Sequence, residues 1–494
     1  MELIPSIKWD READVVVVGY GSAGAATAIT AHDAGANVLI IEKAPEGEEG
    51  GNSRVSGQGW LNPTPVNEAI TLLNALCGAY TVPQEMAQVW ADEMGRNNDW
   101  VKVLGGKPTP YRKGREGADF PELRGVDSIN AFHHDDGSGE RGHETLWKLL
   151  KASVDAKHIE VLSATPGVEL IQSRQTGEII GVIGERKGNP FYIKAKRAVV
   201  LTCGGFENNQ EMIRNFLPNL PYCYPWGTPY NTGDGIKMAM TVGADLWHMN
   251  NIVGPFYGLK VPDFPSALTL TPLGFANECP GGMIITGADG KRFTDEKHRN
   301  THGKVKTAGQ WTQAPAPCPM FMIFDNTMFS AGPLYNKNLG HGWNQRFKRC
   351  DWSEDNSAEL AKGWIKKAHT IAGLADKIGL EPKILEDTVA RWNALCAAGK
   401  DTDFGRTRGL SPIKSVPYYA IELSPVFMNT QGGPRHNSRG QILRPNGTPI
   451  HRLYSAGELG SIHSFLYQGG GNLGECLAFG RLSGLNAASE RPWE

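Results

Sequence analysis

The chain has no apolar run of the roughly 18 residues that a membrane-crossing helix requires, so no such span is expected in its 494 residues. It has no excess of either charge, with 50 basic residues against 52 acidic ones. That balance gives no electrostatic footing for nucleic acid or an anionic membrane. Its eight cysteines are scattered and form no Cys-x-x-Cys pair. A structural zinc pair, a haem attachment site and a cluster-ligand run are therefore excluded, no metal is expected, and free thiols in a reducing compartment are. Residues 1–10 lack the charged-then-apolar pattern of a secretory leader, so a cytoplasmic location is the expectation. No internal repeat is present.

What the chain does have is length for two or three compact units, and 60 glycines placed in loops rather than in low-complexity tracts. The most informative glycines open the chain, in Val15-Val-Val-Val-Gly19-Tyr-Gly21-Ser-Ala-Gly24-Ala-Ala-Thr-Ala28. Four consecutive valines read as a buried parallel strand. The glycines follow at GxGxxG spacing, then small residues that suit a helix packed closely on a sheet. A second apolar strand, Val38-Leu-Ile-Ile, ends in Glu42. In this arrangement Gly19 permits the tight turn, Gly21 lets a pyrophosphate approach the backbone, and Gly24 brings helix and strand together. The helix N-terminus offers N–H groups to phosphate, and Glu42 can bond a ribose hydroxyl. The competing reading is a glycine-rich βα turn in a sheet that binds nothing.

Next comes an acidic, glycine-rich loop, residues 45–59, whose small donors suit a flat or phosphorylated ligand. Helical patterns are expected over about 83–104 and 143–156, with a polar loop at 105–142 between them. Strands are expected at 159–162, 167–173, 178–186 and 191–196, with a hairpin turn at 175–177. Residues 198–206 read as a buried strand entering a glycine turn, and 231–235 as the start of a helix. Composition shifts between about 251 and 416, which marks an inserted domain with helices near 358–379 and 382–398. Pro382 suits a first helical turn. Asp403-Phe-Gly405 matches a kinase tripeptide but lacks the upstream His-Arg-Asp loop, so that reading is rejected. A last strand at 453–458 then precedes Gly469-Gly-Gly471-Asn472-Leu-Gly474, which opens a helix with Gly480 and Gly484 spaced for close packing. A strand, glycines and a helix start again form an anion- or carbonyl-binding arrangement.

These motifs together resemble the flavoprotein family of soluble fumarate reductases and 3-ketosteroid dehydrogenases. The matching stretches are Gly19–Ala28, Gly51–Gly57, Thr202–Phe206, Thr232–Gly235, Gly290–Phe293, Ala456–Glu458 and Gly469–Arg481, together with 385–393 and 399–406. The resemblance covers nearly the whole chain. It implies an α/β fold: a bipartite Rossmann-like FAD-binding domain (1–252 and 416–494) with an inserted α+β capping domain (253–415), the flavin lying where they meet. The implied FAD-binding residues are Gly19, Gly21, Ser22, Ala23, Gly24, Glu42 and Lys43 from the opening unit. Gly51, Asn52, Ser53, Ser56, Gly57 and Gly59 follow from the next loop. Thr202, Gly204, Gly205, Thr232 and Asp234 come from the middle. Gly457, Glu458, Asn472 and Leu473 complete the set from the end. By that analogy Ser53, Ser56 and Gly57 contact phosphates and flavin, Glu458 bonds the ribityl chain, and Asn472–Leu473 meets the pyrimidine side. No His stands beside Asn52-Ser53 for a covalent link, so non-covalent FAD is expected.

The resemblance also implies hydride transfer between flavin N5 and a carbon next to an activating carbonyl or carboxylate. Fumarate reductases of the family carry an Arg in the late glycine motif and a His before Thr-x-Gly-Gly. Here those places read Tyr467-Gln468-Gly-Gly-Gly471 and Met428-Asn429-Thr430. Without an Arg clamp, a dicarboxylate loses its geometrically fitted partner. The late motif instead resembles the ketosteroid dehydrogenase pattern, where a Tyr hydroxyl and a Gly N–H polarise a ketone. Tyr467 and Gly471 are thus the expected carbonyl activators. The alternative for Tyr467 is a core aromatic bonded to backbone. Arg299 stands near the family's proton-transfer position, with His298 and His302 beside it, against the alternative of a surface Arg paired with Asp295 or Glu296. A tyrosine expected near 121–123 is replaced by Phe120. The expected partners are an apolar, steroid-like ketone and a separate quinone or redox protein. The alternatives are a dicarboxylate reductase, an electron-transferring subunit and a structural FAD-binding protein.

Overall fold

The computed structural model describes residues 7–139, 143–217, 219–273, 280–297, 301–335 and 342–493. They fall into two compact units. The first comprises residues up to 212 with 227–253 and 429–494; the second comprises 213–226 and 254–428. Tyr418–Phe427 is the strand about which the second unit's sheet is built.

The first unit is organised on an eight-stranded sheet. Its main path runs Gln441–Leu443, Pro449–Ser455, Asn189–Leu201, Arg11–Val18, Val38–Ile41, Glu160–Leu162. The central pairings are parallel: Val15 to Val18 align with Val38 to Ile41 on one side and with Ala198 to Leu201 on the other. Val15, Val16 and Val17 are fully buried, as a strand covered on both faces requires. The two strands expected at 191–196 and 198–206 are one continuous strand, Asn189–Leu201. It pairs with Ile179–Arg186, which pairs with Gly167–Gln172.

The helix Ser22–Asp33 follows the opening strand and buries most of its length. Small residues let it meet the long C-terminal helix, Gly471–Ser489, at short range. A Cβ on Gly480 would stand 2.8 Å from Ala23 O, and one on Gly484 would overlap the Thr27 carbonyl. The paired glycines expected from spacing therefore sit at the helix crossing.

Two expectations of coil or helix differ from what forms. The described part of the stretch expected as loop, 105–139, is not simple loop: Asn130–His134 is the central strand of a three-stranded sheet, paired with Pro108–Lys113 on one side and Gly59–Leu61 on the other. The polar composition hid these strands because their outer faces are solvated. The helical stretch near 358–379 contains a strand, Ile365–Ala368, between helices Ser357–Ala361 and Ile371–Ile378. Pairing to Tyr418–Phe427 buries Ile365 and Ala368, while Lys366 faces solvent. Tertiary pairing here overrides a helix-forming composition.

In the second unit Tyr418–Phe427 also pairs with Met320–Asp325, Phe256–Gly258 and Tyr224–Pro225. Met320, Met322 and Phe324 pack into one core face, and Phe321 and Ile323 into the other, beside helices Ile371–Ile378 and Pro382–Ala397. The 290–293 motif and the 399–406 motif meet here. Arg292 bonds Glu296 at 2.8 and 2.9 Å and Asp401 at 3.0 Å, while Arg406 bonds Glu296 at 3.0 Å. Both guanidiniums lie against the Trp392 ring, at 4.5 and 4.6 Å from its centroid. Asp403 of the Asp-Phe-Gly tripeptide pairs with Arg391 in an exposed turn. No helix among the described residues is long and apolar enough to cross a membrane.

Candidate active site

The turn after the opening strand shapes the first wall of the site. Gly19 adopts φ +106°, and a Cβ there would lie 2.6 Å from Thr202 O, so only glycine brings the turn against the neighbouring strand end. Gly24 lies behind it; a Cβ there would overlap the Gly19 carbonyl and stand 2.9 Å from Thr202 Oγ1. Thr202 fixes the same turn by donating to Val18 O and Gly19 O. Gly21, by contrast, faces open space, with nothing nearer a Cβ than Ser53 Oγ at 3.5 Å. Ser53 accepts from Ser22 N at 3.1 Å and so ties the 51–54 turn to the helix start.

These residues line an open cleft. Gly19, Gly21, Ser22 and Ala23 form one wall, with Glu42 and Lys43 beside them. Gly51, Asn52 and Ser53, then Thr202, Gly204 and Asp234, and finally Glu458 complete it. Glu42 accepts from Tyr20 N and Ala44 N, each at 2.6 Å. Burial pushes its carboxyl up, and those two donors oppose the shift. Lys43 pairs with Asp234 at 2.7 Å and donates to Thr232, which places Thr232 beside the wall rather than in it. Ser22 Oγ is buried without a hydrogen-bond partner at the helix start.

The other expected residues are not part of that lining. Ser56 bonds Ser53 O at 2.8 Å and shapes its loop, and Gly57 has nothing within 4 Å of a Cβ. A Cβ on Gly59 would meet Tyr111, 2.8 Å from its Cζ. Gly205 lies against Glu207 and Thr430, and Gly457 against Ala23 and Cys476. Asn472 accepts from Gln431 Nε2 at 3.1 Å, and Leu473 is buried.

The late motif forms a turn into the C-terminal helix. The half-buried Tyr467 accepts from Gly470 N at 3.2 Å. Burial raises its phenol above the ordinary range, and the Gly470 and Asn472 amides oppose the rise. The Gly471 amide donates to Gln468 O at 2.9 Å. A Cβ on Gly471 would stand 2.9 Å from His463 Nε2, so the position is also tight sterically. Arg299 and His298 lie outside the described residues; His302 lies in the second unit.

Several polar residues at this site escape sequence reasoning. Asp119 accepts from Gln468 Nε2 and Gly469 N at 3.0 and 2.8 Å and pairs with Arg112, so it holds the Tyr467 turn. Phe120 beside it is buried core. His463 is fully buried with neither ring nitrogen hydrogen-bonded, and burial lowers it to about 4. Glu475, 3.8 Å away, bonds Ser461 Oγ and Ile462 N, and burial raises it to about 7. Tyr111 is the extra residue of a bulge between Pro110 and Arg112, a device that redirects a side chain. Only Glu207 had a local signal, as the residue directly after Thr202–Phe206.

Comparison with known proteins decides the family. Residues 14–473 match the FAD binding domain family. The chain belongs to that family. It is 27% identical to the cytochrome-type fumarate reductase of Shewanella frigidimarina, over 96% of this chain and 77% of that one. It is 28% identical to the 3-oxosteroid 1-dehydrogenase of Mycolicibacterium smegmatis, over 97% and 98%. Its fold matches 3-ketosteroid delta1-dehydrogenase from Sterolibacterium denitrificans with a TM-score of 0.74 at 21% identity, over 97% of this chain and all of that one. The chain is therefore an FAD-dependent oxidoreductase of the fumarate reductase and ketosteroid dehydrogenase family. The residues present fit FAD: the open face of Gly21, the unpartnered Ser22 hydroxyl and the helix start suit a pyrophosphate, and Glu42 suits a ribose.

Proposed function

We propose that this flavoenzyme acts on a carbon–carbon bond α,β to a ketone in a mostly apolar, steroid-like substrate, with non-covalently held FAD. When bound, FAD supplies the hydride acceptor or donor at its N5 atom. The observation that carries the reading is Tyr467, a phenol whose oxygen is bonded by an N–H at the start of the C-terminal helix. Such an N–H, with the helix dipole behind it, stabilises charge on the phenol oxygen and strengthens its O–H as a donor to a substrate ketone. Asp119 and Gln468 hold the turn that places it. A neutral donor suits a ketone, whereas a dicarboxylate calls for the cation that this motif lacks.

Tyr467→Phe removes one such donor. It is expected to lower kcat/KM for a 3-ketosteroid by about 10²–10³-fold, with the flavin spectrum and FAD affinity unchanged. An unaltered kcat/KM refutes the role. We further propose that electrons pass to or from a separate quinone or redox protein, which steady-state assays with each acceptor test.

A further inference from the structure

Asn52 stands between two carboxylates on the wall of the FAD cleft. Its Nδ2 lies 3.4 Å from Glu207 Oε1 and 3.2 Å from Glu458 Oε2. Its Oδ1 is held by Thr228 N at 3.0 Å, which fixes the amide with its donor side toward the acids. Glycines at 205 and 227 leave room for the pair: a Cβ on Gly205 would stand 2.8 Å from Glu207 Oε1, and one on Gly227 would stand 2.8 Å from Asn52 Cγ.

The two acids are not equivalent. Glu207 has no exposure; its Oε1 also accepts from Thr430 N at 3.0 Å, and Asn231 lies against it. Its Oε2 is buried without a partner. Glu458 has only the shared Asn52 donor and lines the cleft. Other groups facing the pair worsen the repulsion or are neutral. Glu475 and Cys476 come from the C-terminal helix, and Thr430 from the 429–433 segment. Among the described residues neither acid has an ion-pair partner, and Lys43 across the cleft is engaged by Asp234.

We propose that Glu207 and Glu458 hold one proton between them across Asn52, so that Glu458 faces FAD as a neutral hydrogen-bond donor rather than as a carboxylate. Glu207 is the positioning residue: better supplied with donors, it carries the charge and keeps the proton on its neighbour. Two like charges sharing one donor in a buried site do not both ionise. Burial moves both acids upward, Glu207 to about 7 and Glu458 further. The pair acts on cofactor binding whatever the substrate.

The test is FAD affinity of the apo-protein, read by flavin fluorescence quenching from about pH 5 to about pH 9. Wild-type Kd is expected to stay level at acidic pH and to rise roughly tenfold per pH unit once the shared proton leaves. Glu458→Gln, an amide that donates at every pH, should bind FAD within about threefold of the acidic wild-type value, with the alkaline limb gone. Glu207→Gln removes the repelling charge and should move that limb down by about 1–3 pH units. The infrared spectrum of the wild-type apo-protein at neutral pH should show a protonated carboxyl band that Glu458→Gln lacks. Wild-type affinity that is flat or improves with pH, or a Glu458→Gln variant weakened about tenfold at every pH, overturns the proposal. Should Glu207→Gln fail to fold, wild type and Glu458→Gln decide it alone.

Discussion

Replacing Gly21 by alanine separates what the fold needs from what FAD needs. Gly21 has φ −99° and ψ −167°, extended backbone open to any residue. The added methyl would stand 3.5 Å from Ser53 Oγ and 3.6 Å from Gly50 O, ordinary contact distances. The apo-protein therefore suffers no steric penalty and gains about 0.4–1 kcal/mol from the stiffer unfolded chain. The same methyl occupies the cleft wall at the helix start, where a pyrophosphate approaches most closely. Crowding of that size costs about 1–3 kcal/mol, which weakens FAD roughly 5- to 150-fold. Gly24→Ala is the contrast, since its methyl overlaps the Gly19 carbonyl and should destabilise the apo-protein itself. Thermal melts of both apo variants and FAD titration of each provide the assay. If Gly21→Ala binds FAD as wild type does, the cofactor does not lie against this turn. If it melts several degrees lower, the open space described at Gly21 is wrong.

Other perturbations test separate parts of the account. Gly484→Ala drives a methyl into the Thr27 carbonyl at the crossing of two helices; a stability loss of about 1–3 kcal/mol is expected in chemical denaturation. Glu296→Ala leaves Arg292 and Arg406 buried without their shared carboxylate; a loss of about 3–5 kcal/mol should appear as earlier unfolding and easier proteolysis within 254–428. Glu475 keeps its proton to about pH 7 in the folded apo-protein, against an ordinary 4.5. Between those values the unfolded chain sheds a proton that the native state holds, so this group lowers stability as pH rises, by at most about 1.4 kcal/mol per pH unit. Glu475→Gln should flatten that decline when melts at pH near 5 and near 7 are compared; an unchanged slope refutes the assignment.

The opening strand, glycine turn and second strand were legible because each residue's role there is local. Valines bury, Gly19 turns and Gly24 packs within one βαβ unit. The C-terminal helix was legible for the same reason, its glycine pair marking a close neighbour before that neighbour was known. Tyr418–Phe427 was not seen as the centre of a sheet, because its partners lie as far back as Tyr224–Pro225. The strand at Ile365–Ala368 was hidden in a helical composition that only pairing overrides. The same limit applies to the site. Gly471 belongs to a recognisable motif, yet the turn in which its amide meets Gln468 O is not revealed by spacing. Asp119 meets Gln468 across 349 positions of sequence, and Glu207 meets Thr430 across 223. Buried polar networks of this kind are assembled by the fold, so their members carry no local signature.

The central claim, oxidation or reduction of a bond next to a ketone under the control of Tyr467, is tested most directly by anaerobic stopped flow on the FAD-loaded enzyme. A saturated 3-ketosteroid mixed with oxidised enzyme, or an enone mixed with reduced enzyme, should change the flavin absorbance in one direction or the other. Tyr467→Phe should slow that change by about 10²–10³-fold. Rapid reoxidation by fumarate, with the ketones inert, would contradict the account and assign the site to a dicarboxylate.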